Sequence, residues 1–198
     1  MSYLAVQQPR LGNRSAAGVS LLELMVALTL GAILMAIGIP SYRYVTNSSR
    51  ATTEVNALLG DMQFARAEAI KQGLPVTICP LSGSAGSYTC AANSNVWNSG
   101  WIIFTDVNQD ALFTTGTDTL LRVQGAFSVA SDSFTSDNSV YSVTYNREGF
   151  ATGIPATTNG YITVTLHTSP VNDAWTRCLQ IGTFGLVQTE RAHTQGCL

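Results

Sequence analysis

The residues best placed to do chemistry are a glycine and a glutamate, five positions apart, at the edge of an apolar run. Gly18 closes the small-residue stretch Ser15-Ala16-Ala17-Gly18, and Glu23 sits inside VSLLELMVALTLGAILMAIGI, residues 19–39. As a helix this run spans roughly 30 Å, the thickness of a hydrocarbon core. A carboxylate in that setting is costly unless a partner meets it. Cleavage after Gly18 would create one. The new amino group of Val19 carries a positive charge at the head of the helix and can pair with Glu23 of a neighbouring copy.

The remaining candidates are cysteines, histidines and one acidic loop. Cys79, Cys90, Cys178 and Cys197 all come after the apolar run. An even count in an exported segment reads as two disulfides. Three pairings are possible, and the local one, Cys79–Cys90 with Cys178–Cys197, is the most economical. Zinc is the rival, but there is no C-x-x-C spacing and only His167 and His193 could contribute imidazoles. Asp106-Val-Asn108-Gln-Asp110 opens like a calcium loop, with oxygens at positions one, three and five. Ala111 stands where such a loop needs Gly and Thr117 where it needs Glu. A hairpin loop held by Asx turns is the alternative. No nucleophile–base pairing stands out, because Ser and Asp are too plentiful to be informative. No phosphate-binding Gly-rich loop precedes a helix. The expectation is a protein without catalytic residues, metal or cofactor.

These residues need elements to position them. Arg10 and Arg14 precede the apolar run, which keeps the N-terminus cytoplasmic and exports the chain beyond Pro40. A Sec-type signal would place its small residues after the apolar core, not before it. An uncleaved anchor would leave Glu23 unexplained. Charged residues make up only 11% of the 198-residue chain, against about 25% in ordinary soluble domains. With Ser, Thr, Asn and Gly covering the surface, this suits an exported, turn-rich β domain. Removing the two leader arginines from 10 Lys+Arg leaves 8 against 12 Asp+Glu, a net of −4. That balance argues against nucleic acid as the main partner.

From Tyr42 to Gln72 the chain reads as an amphipathic helix. Val55, Leu58, Leu59, Met62, Ala65, Ala69 and Ile70 form the apolar stripe, with Arg50, Glu54, Asp61 and Glu68 mostly on other faces. Gly73 and Pro75 end it. Joined to the apolar run, this makes one long helix bent near Pro40. Beyond Pro75 the period becomes strand-like, at Val76–Cys79, Trp101–Thr105, Leu120–Phe127, Val140–Tyr145, Tyr161–Leu166, Trp175–Gly182 and Leu186–Thr189. Asn146-Arg147-Glu148-Gly149 reads as a hairpin turn, and 81–100 and 106–119 as long polar loops. Trp97, Trp101 and Trp175 suit packing better than base stacking. The organisation is a leader at 1–18, a transmembrane helix at 19–40, an amphipathic helical half at 41–74 and a β-rich domain at 75–198.

The segment GVSLLELMVALTLGAILMAIGIP resembles the class III signal of type IV pilins and type II secretion pseudopilins. The resemblance implies cleavage by a prepilin peptidase after Gly18, N-methylation of Val19, guidance of filament assembly by Glu23 and a helix-kinking proline at Pro40. The family usually has Phe where this chain has Val19, and its leader is often shorter. ARAEAI at 65–70, GWIIFTDVNQD at 100–110 and CLQIGTFGLVQ at 178–188 are similar to the FimT/FimU/GspH group of minor pilins and pseudopilins. That implies an α+β, pilin-like fold, a long N-terminal helix packed on an antiparallel β-rich domain. The DNA-binding FimT-like branch carries Gly-Arg-x-Arg in its last hairpin. The matching stretch here is Gly185-Leu186-Val187-Gln188, without either arginine, and Arg177 and Arg191 only flank it. The resemblance therefore implies a FimU-like minor pilin that primes pilus assembly at or near the tip. Its partners would be other minor pilins and the major pilin, in the inner membrane with a periplasmic domain and then the extracellular pilus of a Gram-negative bacterium. The alternatives are a GspH-like pseudopilin of a type II secretion system and a FimT-like DNA-binding pilin.

Overall fold

The computed structural model describes residues 18–197 apart from 128, 130, 138–139, 155–159 and 194–196. Arg10, Arg14 and Ser15-Ala16-Ala17 lie outside the described residues. The chain divides into two units, Met1–Arg43 and Tyr44–Leu198.

In the first unit the chain is helical from Leu21 onward, the start of helix α1, Leu21–Gln72. Ser20 caps it: its Oγ accepts the Glu23 N–H at 3.2 Å and its carbonyl accepts the Leu24 N–H at 3.1 Å. Ser20-x-x-Glu23 has the spacing of a capping box. The helix runs unbroken through Pro40, although proline cannot donate to the carbonyl of Ala36. The apolar side chains from Leu21 to Ile39 are exposed, and the helix is long and apolar enough to cross a membrane.

The second unit is built on the rest of α1. Ala51, Val55, Leu58, Met62, Ala65 and Ala69 alternate steps of four and three and are all buried. Leu59 is only half-buried and Ile70 is exposed, so the stripe is narrower than its apolar letters suggest. Gly73, at φ 68°, ends the helix with its N–H on the carbonyl of Ala69, and Pro75 prevents continuation.

Ten strands follow: β1 Val76–Ser84, β2 Ser87–Cys90, β3 Trp101–Thr105, β4 Thr119–Gln124, β5 Ser133–Ser136, β6 Val143–Tyr145, β7 Ala151–Thr152, β8 Tyr161–His167, β9 Arg177–Gly182 and β10 Val187–Arg191. They form two antiparallel sheets. One has the order β4-β3-β1-β6-β7, with β2 paired to the far end of β1; the other is β10-β9-β8-β5. The α1 stripe shares one core with Ile78, Trp101, Ile103, Val143 and Tyr145 of the first sheet and with Phe134, Ile162, Val164, Leu166, Leu179 and Ile181 of the second. On the other face of the first sheet a smaller core gathers Cys79, Ile102 and Phe104, with Phe113 and Leu120 beside them. Strand β3, WIIFT, is thus buried on both faces, which explains its unbroken apolar run.

Several strands depart from the sequence expectation. The tract 81–100 is not simply a loop, because Leu81–Ser84 extend β1 and pair with β2 in a hairpin. Ser133–Ser136 is too polar to read as a strand, yet it pairs with β8 from Ser136↔Val164 to Ser133↔His167 and buries Phe134. The short β7 closes on β6 across the turn at Asn146–Gly149, where Gly149 holds φ 83° and its N–H meets the Asn146 carbonyl at 2.9 Å. Trp175 lies in a turn ahead of β9 rather than in a strand, and β4 ends at Gln124 rather than Phe127.

Candidate functional site

Gly18 and Val19 precede the helix in non-helical conformation and are exposed. Glu23 occupies the first helical turn, exposed in this single chain. The positive end of the helix dipole favours a carboxylate there, and the apolar helix surface around it is uncovered. Pro40 lies within the same exposed stretch.

Deeper in the second unit, two acids sit on a face that periodicity alone did not assign to them. Glu54 and Asp61 are buried, not turned to other faces. Each comes three positions after a buried residue, Ala51 and Leu58, and so shares the apolar stripe. Asp61 tolerates burial because its Oδ2 accepts the indole N–H of Trp101 at 2.7 Å and its Oδ1 accepts from the Arg122 guanidinium. That guanidinium also lies 4.0 Å from the centre of the Phe64 ring. Glu54 is less well served. Its neighbour Asp132 is paired with Arg50 at 2.9 Å and also accepts the Ser169 N–H. Burial and the nearby Asp132 charge push the Glu54 carboxyl up to about 7, against the opposing pull of Arg50.

The cysteines are joined as Cys79–Cys90, with an S–S distance of 2.04 Å, and Cys178–Cys197. The first pins the β1–β2 hairpin from its buried side. The second ties the C-terminal segment to β9. In the loop after β3, Asp106 accepts N–H bonds from Asp110 and Ala111 and the Thr77 hydroxyl. Asp118 accepts from Val107 and Thr114. These carboxylates hold the loop through backbone donors, as Asx-type turns do, and among the described residues no three His, Cys, Asp or Glu side chains gather as a metal site. His167 bonds the Thr176 hydroxyl and His193 pairs with Asp173.

Gly185-Leu186-Val187-Gln188 forms the β9–β10 turn and the start of β10. Gly185 has φ 74° and packs so close to the Gly149 carbonyl that a Cβ would stand 2.0 Å from it. Arg66 ties the same two turns to α1, donating to the carbonyls of Gly149 and Phe184. Leu186 is exposed and Gln188 donates to Gln180. Arg177 and Arg191, remote from this turn, oppose each other across the β9–β10 ladder. Trp97 and Trp101 are wholly buried, while Trp175 packs on Tyr44.

Residues 54–185, the helix stripe from Val55 on and every strand but β10, match the family described as type II transport protein GspH. The chain belongs to the GspH family. Residues 13–39 of this GspH-family chain match the prokaryotic N-terminal methylation motif, which brackets Gly18, Val19 and Glu23. Its fold is similar to two crystal forms of the type IV minor pilin FimU from Pseudomonas aeruginosa. One aligns with a TM-score of 0.53 at 21% identity, covering 79% of this chain and 99% of that one; the other with 0.50 at 22%, covering 75% and 98%. No curated protein matches the sequence. The family membership rests on the GspH match, and the likeness to FimU is one of fold.

Proposed function

We propose that the chain is a non-enzymatic minor type IV pilin that primes pilus assembly and stands at or near the tip. The observation that carries this reading is that the 52-residue helix begins inside a methylation motif and goes on to supply the apolar stripe that completes the domain core. In this reading a prepilin peptidase removes residues 1–18, Val19 is methylated, and the apolar segment 19–40 anchors the chain in the inner membrane of a Gram-negative cell. The half 41–74 and the β domain 75–198 lie in the periplasm before export. Glu23 pairs with the amino terminus of an adjacent subunit, either another minor pilin or the major pilin. The likeness to FimU supports the pilus assignment through fold.

A second reading has its own support. The matching family is described by type II transport, which favours a pseudopilin of a secretion system. Deleting the gene separates the two. Loss of surface pili with normal enzyme secretion is expected; loss of secretion with normal piliation would assign the chain to the secretion system. A DNA-binding pilin has less behind it, since Leu186 and Gln188 stand where that branch has arginines.

A further inference from the structure

A buried cluster fastens three parts of the domain to one another. Asp132, only 1% exposed, lies on the loop that leads into β5. Its carboxylate pairs with Arg50 of α1 at 2.9 Å and accepts the Ser169 N–H at 2.9 Å. Its carbonyl accepts the Asn98 side-chain amide at 3.2 Å. One aspartate thus ties residues 168–176, the connection from β8 to β9, to the helix. Glu54 stands one turn beyond Arg50 on α1 and is 7% exposed. Neither of its oxygens meets a hydrogen-bond donor among the described residues.

The charges of this cluster do not balance when all are ionised. Arg50 is one cation, facing two carboxyl groups, Asp132 and Glu54. With Glu54 protonated the cluster is neutral and Arg50 serves Asp132 alone. With Glu54 ionised, a second buried carboxylate stands at the i, i+4 spacing that suits pairing with Arg50, and it repels Asp132. A buried carboxylate deprived of its counter-ion must reach water. The connection 168–176 is the part that can give way. It is turn and coil, with Val171 exposed, whereas α1 is packed into the common core of both sheets.

We propose that Arg50, Glu54 and Asp132 form a proton-operated latch on the β8–β9 connection: Glu54 protonated, Arg50 holds Asp132 and Asp132 holds Ser169; Glu54 ionised, two carboxylates compete for one guanidinium and the connection is released. The sense of the switch follows from the carboxyl being raised from 4.5 to about 7 by burial and the Asp132 charge. The closed latch holds the proton more tightly than the open one, so closure is complete below about 4.5 and weakens as pH rises towards 7. Around the cluster, Asn98 and strand β5 bring no charge. The connection carries Asp173, which pairs with His193, and β8 ends at His167 opposite Ser133. Histidines are the groups that could imitate such a switch.

Amide hydrogen exchange of the full chain in a neutral detergent, read by mass spectrometry and corrected for the intrinsic effect of pH on exchange, is the test. Protection of residues 168–176 should fall roughly fiftyfold from pH 5 to pH 8, as a carboxyl moved from 4.5 to about 7 dictates. In Glu54→Gln, which keeps the cluster neutral, it should change by less than about twofold. His167→Gln with His193→Gln removes both imidazoles of the chain and should leave the fall in place. Strand β3 should remain at least about tenfold better protected than the connection at pH 8, because the core stays closed. No fall in the parent, a fall that survives Glu54→Gln, or one that vanishes in the histidine variant would each overturn the latch. So would a connection that exchanges no faster than β3, since it would then open only with the whole domain.

Discussion

The carboxylate of Asp61 accepts the indole N–H of Trp101 at 2.7 Å, with both side chains buried. The bond joins the C-terminal half of α1 to the first residue of β3. Asp61→Ala leaves a buried indole N–H unpaired and strands Arg122, so it should destabilise the domain by about 2–3 kcal/mol. Asp61→Asn keeps an acceptor for Trp101 and should cost less, about 1 kcal/mol. Urea unfolding followed by tryptophan fluorescence measures both. Equal, small losses would show that the bond is dispensable.

Glu54 gives the domain a pH dependence of definite sign. Its carboxyl is raised from 4.5 to about 7 in the fold, so the folded state holds the proton more tightly than the unfolded chain. Its contribution is complete below about 4.5 and is lost as pH rises towards 7, up to ~3 kcal/mol in all. Arg50 and Asp132 are the charged groups facing it. Glu54→Gln should therefore be more stable than the parent at pH 8 and nearly equal to it at pH 4.5. Thermal unfolding of both proteins across this range is the measurement, and a constant difference would contradict the assignment.

Non-reducing peptide mapping of exported protein should recover Cys79 linked to Cys90 and Cys178 linked to Cys197. The bridges close sequence separations of 11 and 19 residues, for which the loop-entropy model gives about 3 kcal/mol each. Replacing either pair with serines should lower the urea midpoint accordingly. Free thiols or a crossed pairing would refute the connectivity.

Processing after Gly18 should leave residues 19–198 with one added methyl, readable by mass spectrometry of the membrane fraction. Recovery of an intact Met1 terminus from a peptidase-positive strain would contradict it. Glu23→Ala should leave the protein in the membrane but absent from sheared filaments. Normal recovery of the variant in filaments would remove Glu23 from assembly.

The architecture was legible where a single period ran long enough. The α1 stripe is visible as four- and three-residue steps, and β3 as an apolar run. Legibility failed where pairing rather than composition makes the element. Ser133–Ser136 is a strand because β8 offers it a ladder and the core takes Phe134. The same limit hid the polar anchors. Glu54 and Asp61 read as surface acids, although their three-residue offset from Ala51 and Leu58 was available. No spacing disclosed Trp101 as the partner of Asp61, nor the Arg50–Asp132 pair beside Glu54. The cross-strand register that sets Arg177 opposite Arg191 was equally out of reach, because it depends on where the β9–β10 turn falls.

The way α1 joins the sheets has a mechanical consequence. Tension applied at Tyr44 along the helix axis acts on six buried apolar side chains carried by one rigid rod. They must slip past both sheets together, a shear, rather than detach one after another as in peeling. Asp61 opposes that slip midway, through Trp101. At the far end only Gly73, Leu74 and Pro75 separate α1 from β1, the strand that pairs with β2, β3 and β6. A pull on the helix is therefore delivered to the most interconnected strand of the domain, where it is shared among three neighbours.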